Sequence, residues 1–96
     1  MIFADKISFH RNDVKNLKTI VRIYLSSPDN EITEGWYFKE EINDFLHEKP
    51  HTIKVNIDPY PYLIPVNDNN IKYVRSSKDD TEKDNLLKLD IFEEPY

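Results

Sequence analysis

The hydrophobic period of this chain changes twice, and that change limits the fold more than any single residue does. Ile7 and Phe9 alternate with Ser8 and His10, and across residues 19–25 Val21, Ile23 and Leu25 alternate with Ile20, Arg22 and Tyr24. A two-residue period sends successive side chains to opposite faces of a strand. These segments are therefore expected to pair as an antiparallel hairpin, with a turn opening at Arg11-Asn12-Asp13. Phe38, Ile42, Phe45 and Leu46 then fall at intervals of four, three and one, with Lys39, Glu40, Glu41, Asn43 and Asp44 between them. That spacing describes an amphipathic helix, and the acidic residues of its first turn suit the positive end of the helix dipole. Pro50 stops it by restricting Lys49 and lacking an N–H. Ile53, Val55 and Ile57 return to the period of two, as do Ile71, Tyr73 and Arg75.

The connections must be built almost without glycine, since the chain has one glycine in 96 residues. Asn, Asp and the six prolines are left to shape the turns. Asn67-Asp68-Asn69-Asn70 is expected to close a hairpin into the strand at Ile71, and the three prolines of Asp58–Pro65 mark an irregular or edge segment. After the turn-forming Ser76 to Thr81, the apolar residues Leu86, Leu87, Leu89, Ile91 and Phe92 fit either a short capped helical turn or an extended tail, and in both cases the leucines are expected to be tucked inward. The expected fold is α+β: a mostly antiparallel four-stranded sheet with one amphipathic helix on one face. Its order is strand, strand, helix, strand, strand, then an apolar C-terminal tail, all in one domain over residues 1–96.

The ending resembles a known pattern. Tyr73-Val74-Arg75-Ser76, Asp79 with Thr81, and Asp84-Asn85-Leu86-Leu87 with Leu89 are similar to the C-terminal third of a family of small bacterial proteins known as a domain of unknown function. Its members end in Tyr-(Ile/Leu)-Arg-(Thr/Ser), a Pro-Asp-Gly turn and Asp-Asn-Leu-Leu-x-Leu-Pro. Ile7-Ser8-Phe9-His10-Arg11 also resembles the family's opening strand, Ile-Thr-x-Val-Arg. Lys78, Asp80 and Asp90 stand where the family has Pro, Gly and the final Pro. The resemblance implies a helix between two strand pairs and no activity.

Charge narrows the function classes. Residues 1–78 carry eleven acidic and eleven basic side chains, so the whole net charge of −5 sits in the last eighteen residues. A nucleic-acid binder usually shows a basic face, which leaves only a sheet surface carrying Arg11, Lys18, Arg22 and Lys54 for that role. Without cysteine there is neither a disulfide nor thiolate chemistry. No apolar run approaches a membrane span and MIFADK lacks the features of a signal peptide, so a cytoplasmic location is expected.

The chemical motifs are weak. His47-Glu48-Lys49-Pro50-His51 spells H-E-x-x-H, but that zinc motif needs both imidazoles on one helix face, and Pro50 interrupts the helix. The acidic loop of Asp79, Asp80, Glu82 and Asp84 lacks the glycine and the bidentate glutamate of a calcium loop. His10 with Asp13, or Ser76 and Ser77 with a histidine, can be assembled as a small hydrolase only on paper. No catalytic residue, metal or cofactor is therefore assigned. The reading is a non-catalytic interaction or regulatory module whose partner is another protein. Its candidate contact residues are Tyr60 and Tyr62 in the Tyr-Pro segment, Trp36, and Arg75, which can pair with Asp79 or Asp84 or clamp an anion. Trp36 can also be the largest plug of a small core, and that reading is preferred because aromatic burial dominates in small domains.

Overall fold

A computed structural model describes residues 1–77 and 84–95. In chain order the elements are β1 (Ile2–His10), β2 (Arg22–Ser26), β3 (Gly35–Phe38), helix α1 (Lys39–Glu48), β4 (Ile53–Val55), β5 (Leu63–Asp68), β6 (Ile71–Ser76) and β7 (Asp90–Glu94), with short 3₁₀ turns at Leu17–Thr19 and Asn85–Lys88.

β1 is the central strand, and one extra residue in it sets the whole core. Ala4 pairs with Leu25 and Lys6 with Tyr24, so Asp5 is a β-bulge with no partner on β2. Before the bulge the inward residues are Ile2 and Ala4; after it they are Ile7 and Phe9, all buried. An unbroken alternation from Ile2 would instead have turned Lys6, Ser8 and His10 inward. The same bulge explains why the strand is longer than the Ile7–Phe9 alternation suggests.

The sheet is mixed, which corrects the mostly antiparallel four-stranded arrangement expected from sequence. Its order is β3-β2-β1-β4, and β7 also pairs with β1. β2 is antiparallel to β1, and β3 to β2. The other edge of β1 is shared by two parallel strands, β4 beside Ile2–Ala4 and β7 beside Lys6–His10. Three strands are absent from the expected order: β5, which begins inside the segment that reads as irregular or edge, β7, which takes the place of the apolar tail, and β3. Trp36 and Tyr37 lie at what reads as a helix junction, yet they form a strand running in the direction of β1. From there the chain must cross the sheet to reach β4, and parallel neighbours require such a crossover, which α1 supplies. β5 and β6 form a separate two-stranded hairpin closed by Asn69 and Asn70, both at positive φ (48° and 67°), as a tight hairpin turn needs.

Helix α1 and the hairpin cover one face of the large sheet. Ile42 and Leu46 join Ile7, Phe9, Ile23, Leu25, Ile53, Leu63 and Val74 in one core. The backbone N–H of Phe38 donates to the Glu41 carboxylate (3.2 Å), closing the helix start. Asn43, fully buried, points its amide NH₂ at the hairpin and donates to the carbonyls of Val66 (3.1 Å) and Tyr73 (2.9 Å) and to Asn67 Oδ1 (3.0 Å). Leu86 and Leu89 turn inward as expected, on a 3₁₀ turn whose Asp84 carboxylate accepts from Leu86 N (2.9 Å) and Ser76 N (3.2 Å). Ile91 and Phe92 do not follow them; they belong to β7 and stay exposed.

Candidate functional site

The face of the large sheet opposite α1 carries the chemistry. Because Ile23 and Leu25 point inward, Arg22 and Tyr24 point out, and across the pairing register they meet Phe38 and Trp36 of β3. Rings of Tyr24 and Trp36 meet edge to face at 5.4 Å, and Phe92 of β7 lies 5.6 Å from Trp36. The Arg22 guanidinium sits 5.9 Å from the Trp36 ring and 5.7 Å from that of Phe38, and Lys6 Nζ is 4.9 Å from Tyr24. Phe38 and Phe92 remain 49% and 47% exposed, so this aromatic patch is open to a partner.

At the centre of the patch is a charged clamp. Glu94, the last residue of β7 and nearly buried, takes a forked pair of bonds from Arg22, Nε to Oε2 at 2.7 Å and Nη2 to Oε1. The Ser8 hydroxyl, wholly buried, accepts from Arg22 N (3.0 Å) and donates to Glu94 Oε2 (2.6 Å). Its alternative acceptor, the Arg22 carbonyl, is farther at 3.2 Å and uncharged, so the proton belongs on the carboxylate side. Arg22 holds the Glu94 carboxyl below its ordinary value, against the opposing pull of burial and with help from Ser8. Glu94 in turn raises Arg22. A buried hydroxyl already committed to a neutralised carboxylate is poorly placed to act as a nucleophile.

Compared with family models, with known proteins and with solved structures, the chain has no match. What the site can do follows from its own geometry.

That geometry separates the residues singled out in the sequence. Trp36 lies on the open face, half-buried and outside the core cluster, which overturns the preferred reading of it as a core plug. The cause is again β3: pairing with β2 places Tyr37, not Trp36, on the inward side, where it packs against the core. Tyr62 forms a bridge to Lys54 beyond β4, on the far side of the sheet from β3 and Trp36, with Lys54 Nζ 5.2 Å from its ring. Tyr60 is exposed at positive φ in the loop before it. Arg75, on β6, is half-buried and donates to the Ser76 carbonyl (3.3 Å). Of its suggested partners, Asp79 lies outside the described residues, and Asp84 serves as the cap of the 3₁₀ turn. These four residues do not form one patch.

The remaining motifs also part company. His47 Nδ1 donates to the Asn43 carbonyl (2.9 Å) on the helix, while His51, at positive φ past Pro50, sets its ring 5.4 Å from Tyr62. Among the described residues no group of three or more His, Asp or Glu could hold a metal ion. The acidic loop falls outside the described residues except for Asp84. Of the basic set, Lys18 pairs with Asp68 (2.7 Å), Arg22 with Glu94 and Lys54 with the Tyr62 ring, and Arg11 sits in the turn after β1. Between α1 and the sheet, a cleft of about 200 Å³ is lined by Ile2, Leu25, Ile32, Tyr37, Ile42 and Phe45, smaller than a typical small-molecule site.

Sequence reasoning missed Ser8, Tyr24, Phe92 and Glu94. A signal existed for Tyr24, which alternates with Ile23 and Leu25. None existed for Glu94, whose partners lie 72 and 86 residues away.

Proposed function

We propose that this chain is a small non-catalytic protein-interaction module that docks its partner on the open face of the large sheet. One observation supports this above the others: Tyr24, Trp36, Phe38 and Phe92 gather around an arginine already fixed in place. Aromatic residues and arginine are the types enriched at the centres of protein interfaces, and a guanidinium held by Glu94 loses little freedom on binding. An aromatic sheet face can also stack nucleic-acid bases. Here the charges favour protein: Arg22 is neutralised by Glu94, Lys18 lies elsewhere and pairs with Asp68, and the chain carries −5 overall. Among the described residues no helix is long and apolar enough to cross a membrane.

The test compares the wild-type chain with Trp36→Ala/Phe38→Ala as immobilised bait in lysate of the source cells, alongside chromatography on heparin. The expected result is a protein retained by the wild type and lost by the variant, with no salt-sensitive heparin retention. The reading fails if the captured proteins are the same for both baits, or if heparin retains the wild type in a salt-dependent manner.

A further inference from the structure

β7 is held in an unusual way for a strand that completes a sheet. Four of its five residues are exposed, including Ile91 at 45%, and only Glu94 is buried. Besides its parallel backbone pairing with Lys6–His10, it is attached through the Phe92 ring on Trp36 and the Glu94 carboxylate, which sits in the socket of Arg22 and Ser8 and feels the charge of His10. Parallel pairing is slightly the weaker kind, and a buried ion pair contributes more to register and selectivity than to net stability. The preceding 3₁₀ turn is anchored independently, through buried Leu86 and Asn85 and the cap from Asp84. β7 can therefore leave β1 without pulling its own root out of the core.

What remains after it leaves is a strand edge with a specific code. Trp36 accepts an aromatic ring, and two residues further along an extended chain Arg22 and Ser8 accept a carboxylate through a guanidinium fork and a hydroxyl. We infer that this edge of β1 is a peptide-binding site and that β7 is its internal occupant. The partner is a protein segment carrying an aromatic residue two positions before Glu or Asp, which adds to β1 as a parallel strand in place of β7. This inference rests on the interaction-module reading and refines it: the partner's aromatic residue and carboxylate take the places of Phe92 and Glu94, while Tyr24, Trp36, Phe38 and Arg22 remain as the docking surface. The internal occupant lowers apparent affinity by the fraction of time the edge is covered, so releasing it strengthens binding in trans.

The experiment uses the full chain and a fluorescent peptide of residues 88–96. Fluorescence anisotropy compares the wild type with Phe92→Ala/Glu94→Gln, which frees the edge while leaving Trp36, Arg22 and Ser8 intact. The released chain is expected to bind at least tenfold more tightly than the wild type. A peptide carrying Glu94→Gln should lose at least tenfold on the same chain. Equal binding to both chains, or none to a folded released chain, overturns the inference, as does a concentration-dependent dimer of the released chain that excludes the peptide. Hydrogen exchange on the wild type is an independent check that needs no variant. Amides of Asp90–Glu94 should exchange at least a hundredfold faster than the core amides of β1 and β2, and equal protection would mean that β7 opens only with global unfolding. If the peptide fails while Trp36→Ala/Phe38→Ala still abolishes capture from lysate, only the β7 inference falls and the interaction reading stands.

Discussion

Asn43→Asp should destabilise this protein far more than its near-identical shape suggests. The wild-type amide nitrogen faces three oxygens, the carbonyls of Val66 and Tyr73 and Asn67 Oδ1, at 2.9 to 3.1 Å, in a fully buried position. Asn43 Oδ1 is buried without a hydrogen-bond partner, so the site is built for a donor. Replacing the NH₂ by oxygen keeps the volume and sets a carboxylate against three acceptors. A buried charge left without compensation costs about 3 kcal/mol or more. Burial among acceptors therefore raises the folded-state pKa of the introduced carboxyl above its ordinary value. The sign follows: the folded state binds the proton more tightly, so the penalty is small below the ordinary aspartate value of about 3.9 and is fully developed only above the raised folded-state value. With a urea m-value of about 1 kcal/mol/M for a chain this size, the unfolding midpoint should fall by about 3 M at pH 7 and by about 1 M at pH 4. Urea unfolding of both proteins at both pH values checks this. A pH 7 midpoint within 0.5 M of wild type, or equal losses at both pH values, would refute the assignment of Asn43 as a donor that pins α1 to the hairpin.

Leu86→Ala removes a fully buried side chain that roots the C-terminal segment, and should lower stability by about 3 kcal/mol in urea unfolding; a loss under about 1 kcal/mol would place this leucine outside the core. Glu94 has a folded-state pKa lowered by Arg22, so its contribution is complete above the ordinary glutamate value of 4.5 and is lost as the pH falls through the depressed value. The stability difference between wild type and Glu94→Gln should accordingly persist above about pH 5 and shrink below about pH 4, whereas no loss at low pH would show that the clamp is not ionic.

How much of this was legible in the sequence depends on how far apart the cooperating residues lie. The helix was legible because Ile42, Phe45 and Leu46 report their own period, although Phe38, expected in the same stripe, lies exposed on β3. The turn into β6 was legible because Asn69 and Asn70 are turn residues in place of glycine, but not β5 or its separation from the large sheet. β3 was not legible: it spans only Gly35–Phe38, and its Trp36 and Phe38 sit outward while Tyr37 packs inward, too short a run to set a period. Missing that strand concealed the crossover, and with it the parallel pairing of β4 and β7. The Asp5 bulge hid the first half of β1 in a similar way, by changing which parity faces the core. For the site, Arg22 and Tyr24 could be placed on an outward strand face, but no local pattern pairs Arg22 with Glu94 across 72 residues.

The polarity of that clamp bears on how the sheet opens. Ser8 is on the open face of β1 yet wholly buried, hydrogen-bonded to Glu94 and to the Arg22 backbone. Had the socket been apolar, undocking β7 would expose hydrocarbon to water at about 25 cal/mol per Å². With Ser8, Arg22 and Glu94 as its lining, undocking returns a hydroxyl, a guanidinium and a carboxylate to water, and their hydration offsets most of the lost interactions. Phe92, half-exposed already, adds little more. The opening free energy of β7 is therefore well below that of the core strands, while its recognition remains specific, since only a carboxylate in that register satisfies both Arg22 and Ser8. A strand fastened by polar specificity and scarcely by burial is the kind of element that a partner segment of the same chemistry can replace.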